Sequence, residues 1–386
     1  MEPGRDRYAE IREGVRALCA EFPPAYFRAL DAERGYPERF VAELTRAGWL
    51  AALIPREFGG SGLGVCEASV IMEEINRCGG NAGACHGQMY NMGTLLRHGS
   101  AEQKARYLPR IASGELRLQS MAVTEPTAGT DTTAISTVAE RKGDRYVVNG
   151  QKVWISRVQH SDLMILLART TPATQVRKKS EGLSIFLVDL RDALGHGLTA
   201  RPIANMVNHE TNELFFENLE IPAENLIGEE GRGFRYILDG LNAERAIIAA
   251  ECIGDGYWFI EKVTRYVGER VVFGRPIGQN QGVQFPIAQA FIELEAANLM
   301  RWKACEMFDA GEPCGEQANM AKYLAAKASW EAGEACLQFH GGFGFAAEYD
   351  VERKFRETRL YQVAPISTNL VLAYVAEHVL KMPRSY

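Results

Sequence analysis

The N-terminal part of the chain carries apolar residues at helical spacing. Tyr8, Ile11, Val15 and Leu18 recur at intervals of three and four residues, which places them on one face of a helix. Further along, the segment SVIMEEINRCGG is typical of a helix that ends at a pair of glycines. An N-terminal all-helical domain is therefore predicted for residues 1–117.

The next part of the chain changes to short apolar runs separated by turns. The segments LMILLART, GLSIFLVDL and NELFFENLEIP are predicted strands, and the polar segment TTPATQVRKKSEG between the first two is a predicted exposed loop. The segment YVVNGQKVWIS is predicted to be two short strands about an Asn149-Gly150 turn, because Asn-Gly is favoured in tight hairpins. A central β domain is predicted for residues 118–228.

Helical periodicity returns in the last part of the chain. It runs through long segments such as FPIAQAFIELEAANLMRWKACEMFDAG and ANMAKYLAAKASWEAGEACLQFHGG. A C-terminal bundle of the four-helix type is predicted for residues 229–386. The expected fold class is therefore α+β and multidomain, with helices first, then a compact β-sheet or barrel, then a helical bundle.

One helical segment, DGLNAERAIIAAECIGDG, has a carboxylate on its apolar face. Ile237, Leu241 and Ile248 share one face of the helix, and Glu244 falls between them on that face. A buried carboxylate is costly unless it is paired or neutralised. From the residues alone, Glu244 is either paired with Arg245 or another cation, or it performs chemistry.

Composition narrows the class of protein. The 386 residues are 46% hydrophobic and 24% charged, with a net charge of −6 and no basic run, which argues against binding to nucleic acid or to an anionic membrane. No apolar run is long enough for a membrane span, and the charged N-terminus is unlike a signal peptide, so a cytoplasmic location is expected. The eight cysteines are scattered without a CxxC pair, so reduced thiols and no metal site are predicted.

Four segments carry candidate chemistry, each weak when taken singly. MAVTEPTAGTD offers hydroxyls and backbone amides about a turn. KVWIS places a tryptophan and a serine on one side of a strand, where they could seat a flat ring. QFHGGFGF is glycine-rich but follows a helix, unlike a Rossmann loop, and RVVFGRPIGQNQ begins with Arg270, a possible pyrophosphate partner.

Together, in this order, the segments resemble the acyl-CoA dehydrogenases. AVTEPTAGTDTTA is similar to the first signature of that family, and QFHGGFGFAAEYDVERKFRE is similar to the second. The resemblance covers essentially the whole chain and implies FAD as the cofactor. The residues implied to contact FAD are Met121, Val123, Thr124, Gly129, Thr130, Trp154, Ile155, Ser156, Arg270, Phe273, Gln281, Gln338, Gly341, Gly342, Ser367, Thr368 and Asn369.

The resemblance also divides these roles. Residues 121–130 would line the flavin ring, with Trp154 beside it and Ser156 bonding near N5. Arg270, Phe273 and Gln281 would hold the pyrophosphate and adenosine of a neighbouring subunit's flavin. Such sharing implies a homo-oligomer, either a dimer or a tetramer.

The substrate implied by the resemblance is an acyl-CoA or another acyl thioester. Thr130, Asn242 and Arg245 match positions that contact acyl-CoA. The reaction is α,β-desaturation, in which a carboxylate removes the α-proton, the β-hydride goes to flavin N5, and the electrons pass to an electron-transfer flavoprotein.

The position of the catalytic base is the main departure from the common family pattern. Many members carry a glutamate in a stretch like LYQVAPISTN, where this chain has Pro365. Some members place the base instead on the helix described above, in a pattern that matches Leu241, Glu244 and Arg245. Glu244 is thus the expected base, and Glu251 is a distant second candidate.

Pro365 also leaves alternatives open. In relatives the backbone N–H at that position helps to hold the thioester oxygen, and proline has none. The flavin ribityl hydroxyl, the amide of Ile366 or a different substrate position could replace it. Rival functions are a same-fold oxidase, monooxygenase or desulfinase, a carrier-protein thioester dehydrogenase, and a flavin-bearing protein that binds DNA.

Overall fold

The computed structural model describes residues 7–385, so the first six residues of the predicted N-terminal domain and the last residue of the predicted bundle lie outside the described residues. The helices, in chain order, are α1 (Ala9–Cys19), α2 (Pro24–Glu33), α3 (Glu38–Arg46), α4 (Val65–Arg77), α5 (His86–His98), α6 (Ala101–Ala112), α7 (Leu190–Ala193), α8 (Gly233–Glu269), α9 (Gln281–Asp309), α10 (Gly315–His340), α11 (Val351–Leu360) and α12 (Thr368–Tyr374).

The strands lie between α6 and α9. They are β1 (Leu118–Ala122), β2 (Val138–Lys142), β3 (Arg145–Ser156), β4 (Leu163–Arg169), β5 (Leu183–Asp189), β6 (Leu198–Pro202), β7 (Thr211–Pro222), β8 (Leu226–Ile227), β9 (Val271–Val272) and β10 (Arg275–Pro276). One sheet has the order β6-β7-β3-β2-β4-β5-β8, with β1 parallel to β4, and β9 pairs with β10 in a separate hairpin. The predicted order of helices, sheet and helices is confirmed.

The chain divides into two compact units. The first comprises the chain up to Glu33, Gly64–Ala82 and the chain from Asn242 onward, and the second comprises Arg34–Leu63 and Gly83–Leu241. The three predicted domain boundaries stay a prediction.

The first unit is a helical bundle with an alanine-rich core. Ala318, Ala325 and Ala332 on α10 pack with Phe259 and Leu294 from α8 and α9. Small side chains on α10 allow the neighbouring helix backbones to approach closely, which suits long helices that share one core.

The second unit packs apolar side chains on both faces of its sheet. Strand β4 is buried along its whole length. Leu163 and Ile165 join a cluster with Leu108 of α6, while Met164 and Leu166 join the opposite cluster. Because side chains alternate along the strand, one run of apolar residues contributes to the hydrophobic clusters on both faces of the sheet.

The predicted Asn149-Gly150 hairpin is wrong. Residues 145–156 form one continuous strand, and its pairing with β7 shifts register between Val148 and Gly150. Asn149 Oδ1 accepts a hydrogen bond of 2.8 Å from the backbone N–H of Asn218, across the strand pair. The Asn-Gly pair thus forms a bulge, which also uses glycine's freedom at positive φ, instead of a turn.

Helix α8 has the predicted apolar face. Ile237 and Ile248 are buried, and Glu244, which lies between them, is only 4% exposed. Within the described residues, no helix is both long and apolar enough to cross a membrane.

Candidate active site

The first signature segment forms a loop in the second unit, directly after β1. The backbone N–H of Val153 donates a hydrogen bond of 2.9 Å to the carbonyl of Thr124, which ties the loop to β3. Met121, Val123 and Thr124 are half-buried, whereas Gly129 and Thr130 are exposed. The loop therefore presents hydroxyls and amides from an anchored backbone.

A buried ion pair that the sequence analysis missed holds this loop. Glu125 accepts hydrogen bonds from the backbone N–H groups of Ser136 (2.7 Å) and Thr137 (2.8 Å) and from Lys152 Nζ (3.0 Å). Burial would raise the pKa of Glu125, but Lys152 and these hydrogen bonds outweigh it and lower the pKa. Burial lowers the pKa of Lys152 to about 8. The signature glutamate thus acts as a structural anchor.

The end of β3 exposes a flat aromatic surface. Trp154 has a φ of 63° and is 60% exposed, while the next residue, Ile155, is buried. A left-handed conformation is costly for tryptophan and persists where the surroundings enforce it, often at functional sites. Ser156 Oγ accepts a hydrogen bond of 2.8 Å from Asn208 Nδ2, a partner that the sequence analysis also missed. An exposed indole near an oriented hydroxyl fits a planar polar ring.

The glycine-rich segment of the first unit lines a cavity of about 620 Å³. Four predicted residues meet there: Arg270, Gln338, Gly341 and Gly342. No atom lies within 4 Å of the position where a Cβ would stand on either glycine, so the backbone at this point is open to a ligand. The cavity combines a guanidinium with accessible backbone, which fits a pyrophosphate.

Two residues predicted for the same ligand lie outside this cavity lining. Phe273 sits in the turn of the β9–β10 hairpin and is fully exposed, and Gln281 is the exposed first residue of α9. Tyr266 and Asn280, which the sequence analysis did not select, line the cavity instead.

The C-terminal stretch around Pro365 is held from α10 and within itself. Lys322 Nζ donates a hydrogen bond of 2.7 Å to the carbonyl of Ile366. Ser367 caps α12, because its Oγ accepts from the backbone N–H of Leu370 at 3.3 Å. Thr368 Oγ1 donates to the carbonyl of Gln362 at 3.1 Å, and Asn369 is exposed.

Glu244 lies in a buried charged environment of the first unit. Arg245 Nη1 donates a hydrogen bond of 3.0 Å to Asn242 Oδ1, so two predicted substrate contacts are neighbours. Burial lowers the pKa of Arg245, and Glu244 opposes that shift. Glu244 also acts electrostatically on Lys322, which the sequence analysis missed. A carboxylate here is close to two cations and away from bulk water.

The second candidate base, Glu251, lies two turns further along α8. It is fully buried, and its Oε2 accepts a hydrogen bond of 3.1 Å from the hydroxyl of Tyr361. Its carbonyl accepts from Asn76 Nδ2 at 3.1 Å. These partners fix Glu251 within the bundle.

Among the described residues, no group of three or more His, Cys, Asp or Glu side chains is placed to bind a metal.

Family models match along nearly the whole chain. The N-terminal domain of the acyl-CoA dehydrogenases matches residues 5–115, the middle domain matches 120–219 and the C-terminal domain matches 231–380.

Characterised relatives and solved structures agree with these matches. Acyl-CoA dehydrogenase fadE12 of Mycobacterium bovis is 34% identical over 379 residues, which cover 97% of this chain and 96% of the relative. Cyclohex-1-ene-1-carbonyl-CoA dehydrogenase of Syntrophus aciditrophicus is 34% identical over 377 residues, covering 97% and 89%. The structure of glutaryl-coenzyme A dehydrogenase with glutaryl-CoA superposes with a TM-score of 0.92 at 30% identity, covering 100% and 98%. The predicted fold class and family are confirmed: this chain belongs to the acyl-CoA dehydrogenase family of flavoprotein oxidoreductases.

Proposed function

We propose that this chain desaturates an acyl thioester between its α and β carbons, with Glu244 as the catalytic base. FAD is the cofactor, and when bound it would supply the acceptor for the β-hydride. The observation that carries the proposal is the burial of Glu244 on α8 in a chain that has Pro365 where many relatives have their base.

The environment of Glu244 suits the removal of a weakly acidic proton. Glu244 is buried, and its interaction with Arg245 and Lys322 opposes the lowering of the pKa that burial imposes on both cations. A bound acyl chain would exclude water and strengthen the carboxylate as a base. Asn242 and Arg245, joined by their hydrogen bond, would contact the thioester portion of the substrate.

The cofactor residues keep their predicted roles in this proposal. The loop of residues 121–130, Trp154, Ile155 and Ser156 would contact the flavin ring. Arg270 and the glycine-rich segment would hold the pyrophosphate and adenosine. Phe273 and Gln281 would share that role, and Gln338 would approach the same region. Ser367, Thr368 and Asn369 would make further flavin contacts.

Assembly and electron transfer are part of the same proposal. A dimer or tetramer would bring a neighbour's flavin to Arg270 and Phe273, and an electron-transfer flavoprotein would take the electrons. A cytoplasmic location stays a prediction.

The test is spectral. Purified protein should be yellow, and one member of a panel of acyl-CoAs should bleach it anaerobically. Glu244→Gln should retain the flavin and lose about a thousandfold in the rate of bleaching, because amides are poor bases. Glu334→Gln, on the exposed face of α10, is the matched control and should bleach at the wild-type rate. Normal bleaching of Glu244→Gln would show that another group is the base.

Pro365 supports one second candidate, a same-fold enzyme with different chemistry. Without an N–H at this position, the thioester oxygen lacks one donor that relatives use, and loss of such a donor typically costs about 3 kcal/mol. Rapid oxygen consumption during turnover, or a product without the 2,3 double bond, would favour an oxidase, monooxygenase or desulfinase. Testing each acyl group as its CoA and carrier-protein thioester separates those substrate classes.

A further inference from the structure

Lys322 is a cation inside the first unit. It lies on α10 between the buried residues Ala318 and Ala325, and it is only 1% exposed. Burying an ammonium group is costly unless nearby groups compensate for the lost water. The groups that compensate for the burial of the Lys322 ammonium therefore indicate the role of this side chain.

Lys322 is linked to two parts of the proposed site, to one by a hydrogen bond and to the other by electrostatic interactions. Its Nζ donates a hydrogen bond of 2.7 Å to the carbonyl of Ile366, the residue after Pro365. The ionisable groups that act on it are Glu244, Arg245 and Cys252, all on α8. Lys322 thus connects the helix of the proposed base to the stretch in which relatives hold the thioester oxygen.

Neighbouring groups shift the pKa of Lys322 in opposite directions. Burial is the main cause that lowers its pKa, to about 8, and Arg245 acts in the same direction. Glu244 and Cys252 oppose them. Arg245 in turn is influenced by Glu244, Tyr374 and Cys314. Glu244 therefore interacts with two basic side chains, Arg245 and Lys322.

We propose that Lys322 is a positioning residue, which fixes the backbone at Ile366 and keeps the Glu244 carboxylate charged and ready to accept a proton. Only the second half of this inference, the effect on the Glu244 carboxylate, rests on the proposed function. The hydrogen bond to Ile366 concerns the chain itself and can be tested without any substrate.

The experiment compares three variants of the flavin-loaded protein. Lys322→Met removes the charge and the donor at similar length, whereas Lys322→Gln removes the charge and retains a donor. Lys327→Met is the matched control, because Lys327 is an exposed lysine on the same helix. Flavin content and melting temperature identify variants that fail to fold. If Lys322→Met fails to fold, the effect of removing the charge is measured on Lys322→Gln alone.

The first readout is amide hydrogen exchange in peptides that contain residues 364–370. Exchange there should be at least about tenfold faster in Lys322→Met than in wild type, because the segment loses its link to α10. Lys322→Gln should show a smaller increase and Lys327→Met none. Equal exchange in Lys322→Met and wild type would overturn the positioning role, whether or not any acyl thioester bleaches the flavin.

The second readout is the pH profile of kcat/KM for flavin reduction by the best acyl-CoA. Without the cation, Glu244 is more easily protonated, so the acid limb should move up by about one pH unit in both Lys322 variants. An unmoved limb, or an equal shift in Lys327→Met, would overturn the electrostatic role. Failure of every acyl thioester to bleach wild type would instead overturn the proposed function.

Discussion

Helix α8 buries two charged clusters that differ in how their charges are balanced. The base cluster consists of Glu244, Arg245 and Lys322. The anchor cluster consists of Glu251 and Asp255, two to three turns further along α8, together with Lys354 and Glu357 of α11. The base cluster has one carboxylate and two cations, whereas the anchor cluster has three carboxylates and one cation.

The anchor cluster is a network of direct contacts. Lys354 Nζ lies 2.5 Å from Asp255 Oδ1 and 3.0 Å from Glu357 Oε1, and it donates a hydrogen bond of 2.9 Å to the carbonyl of Gly80. Tyr361 donates to Glu251. These partners tie α8, α11 and the loop after α4 together in the first unit.

The cations of the base cluster also make hydrogen bonds to other parts of the first unit. Arg245 donates to Asn242 and Lys322 donates to Ile366. The Nε of Arg245 is buried with no hydrogen-bond partner among residues 7–385. Burial alone therefore does not identify a base. Glu244 and Glu251 lie on the same helix and are both buried, but Glu244 acts on two cations, whereas Glu251 acts on another carboxyl group, that of Asp255.

The largest effect that sharpens this comparison is expected from Lys354→Met. The change removes the cation that contacts Asp255 and Glu357, and breaking a buried ion pair typically costs about 3–5 kcal/mol. The free energy of unfolding, measured by urea denaturation, should fall by that amount. Lys327→Met should change it by less than about 0.5 kcal/mol. A small effect of Lys354→Met would show that the anchor cluster does not stabilise the fold.

A smaller effect is expected from Glu251→Gln. The amide still accepts the hydrogen bond from Tyr361, but a neutral acceptor is weaker than a carboxylate, so the free energy of unfolding should fall by about 1–3 kcal/mol. Stopped-flow measurement of flavin reduction at saturating acyl-CoA should give a rate within about threefold of wild type. A thousandfold loss with unchanged stability would reverse the assignments of Glu251 and Glu244.

The burial of carboxylates on α8 could be predicted from the sequence, because the spacing of apolar residues along a helix indicates which face is buried. The spacing of Ile237, Glu244 and Ile248 placed the carboxylate on a buried face, as the structure has it. The strands in the centre of the chain follow from their apolar runs. The Asn149-Gly150 pair misled the prediction because a bulge inside a long strand uses the same residues as a turn.

The partners of the buried charges could not be predicted from spacing. Glu125 and Lys152 are far apart in the chain and meet only because a loop folds back on β3. Lys322 did leave a signal, since it falls on the alanine face of α10, three residues before Ala325 and four after Ala318. A lysine at an apolar position predicts burial, but it does not identify the carbonyl or carboxylate that it faces.

The smallest effect concerns the pH dependence of stability in the anchor cluster. Burial and the neighbouring Glu357 raise the pKa of Asp255 well above its ordinary value. The folded state therefore binds a proton that the unfolded state releases above about pH 4, so the stability from this site is lost as pH rises toward the folded pKa.

Asp255→Asn removes that proton difference, so the free energy of unfolding of this variant should decline less with pH than that of wild type, by at most about 1.4 kcal/mol per pH unit. Urea denaturation at pH 5, 6 and 7 measures the slopes, with the exposed Asp144→Asn as the control that should match wild type. Parallel slopes for Asp255→Asn and wild type would show that Asp255 is charged in the folded protein, and that Lys354 balances three carboxylates without a shared proton.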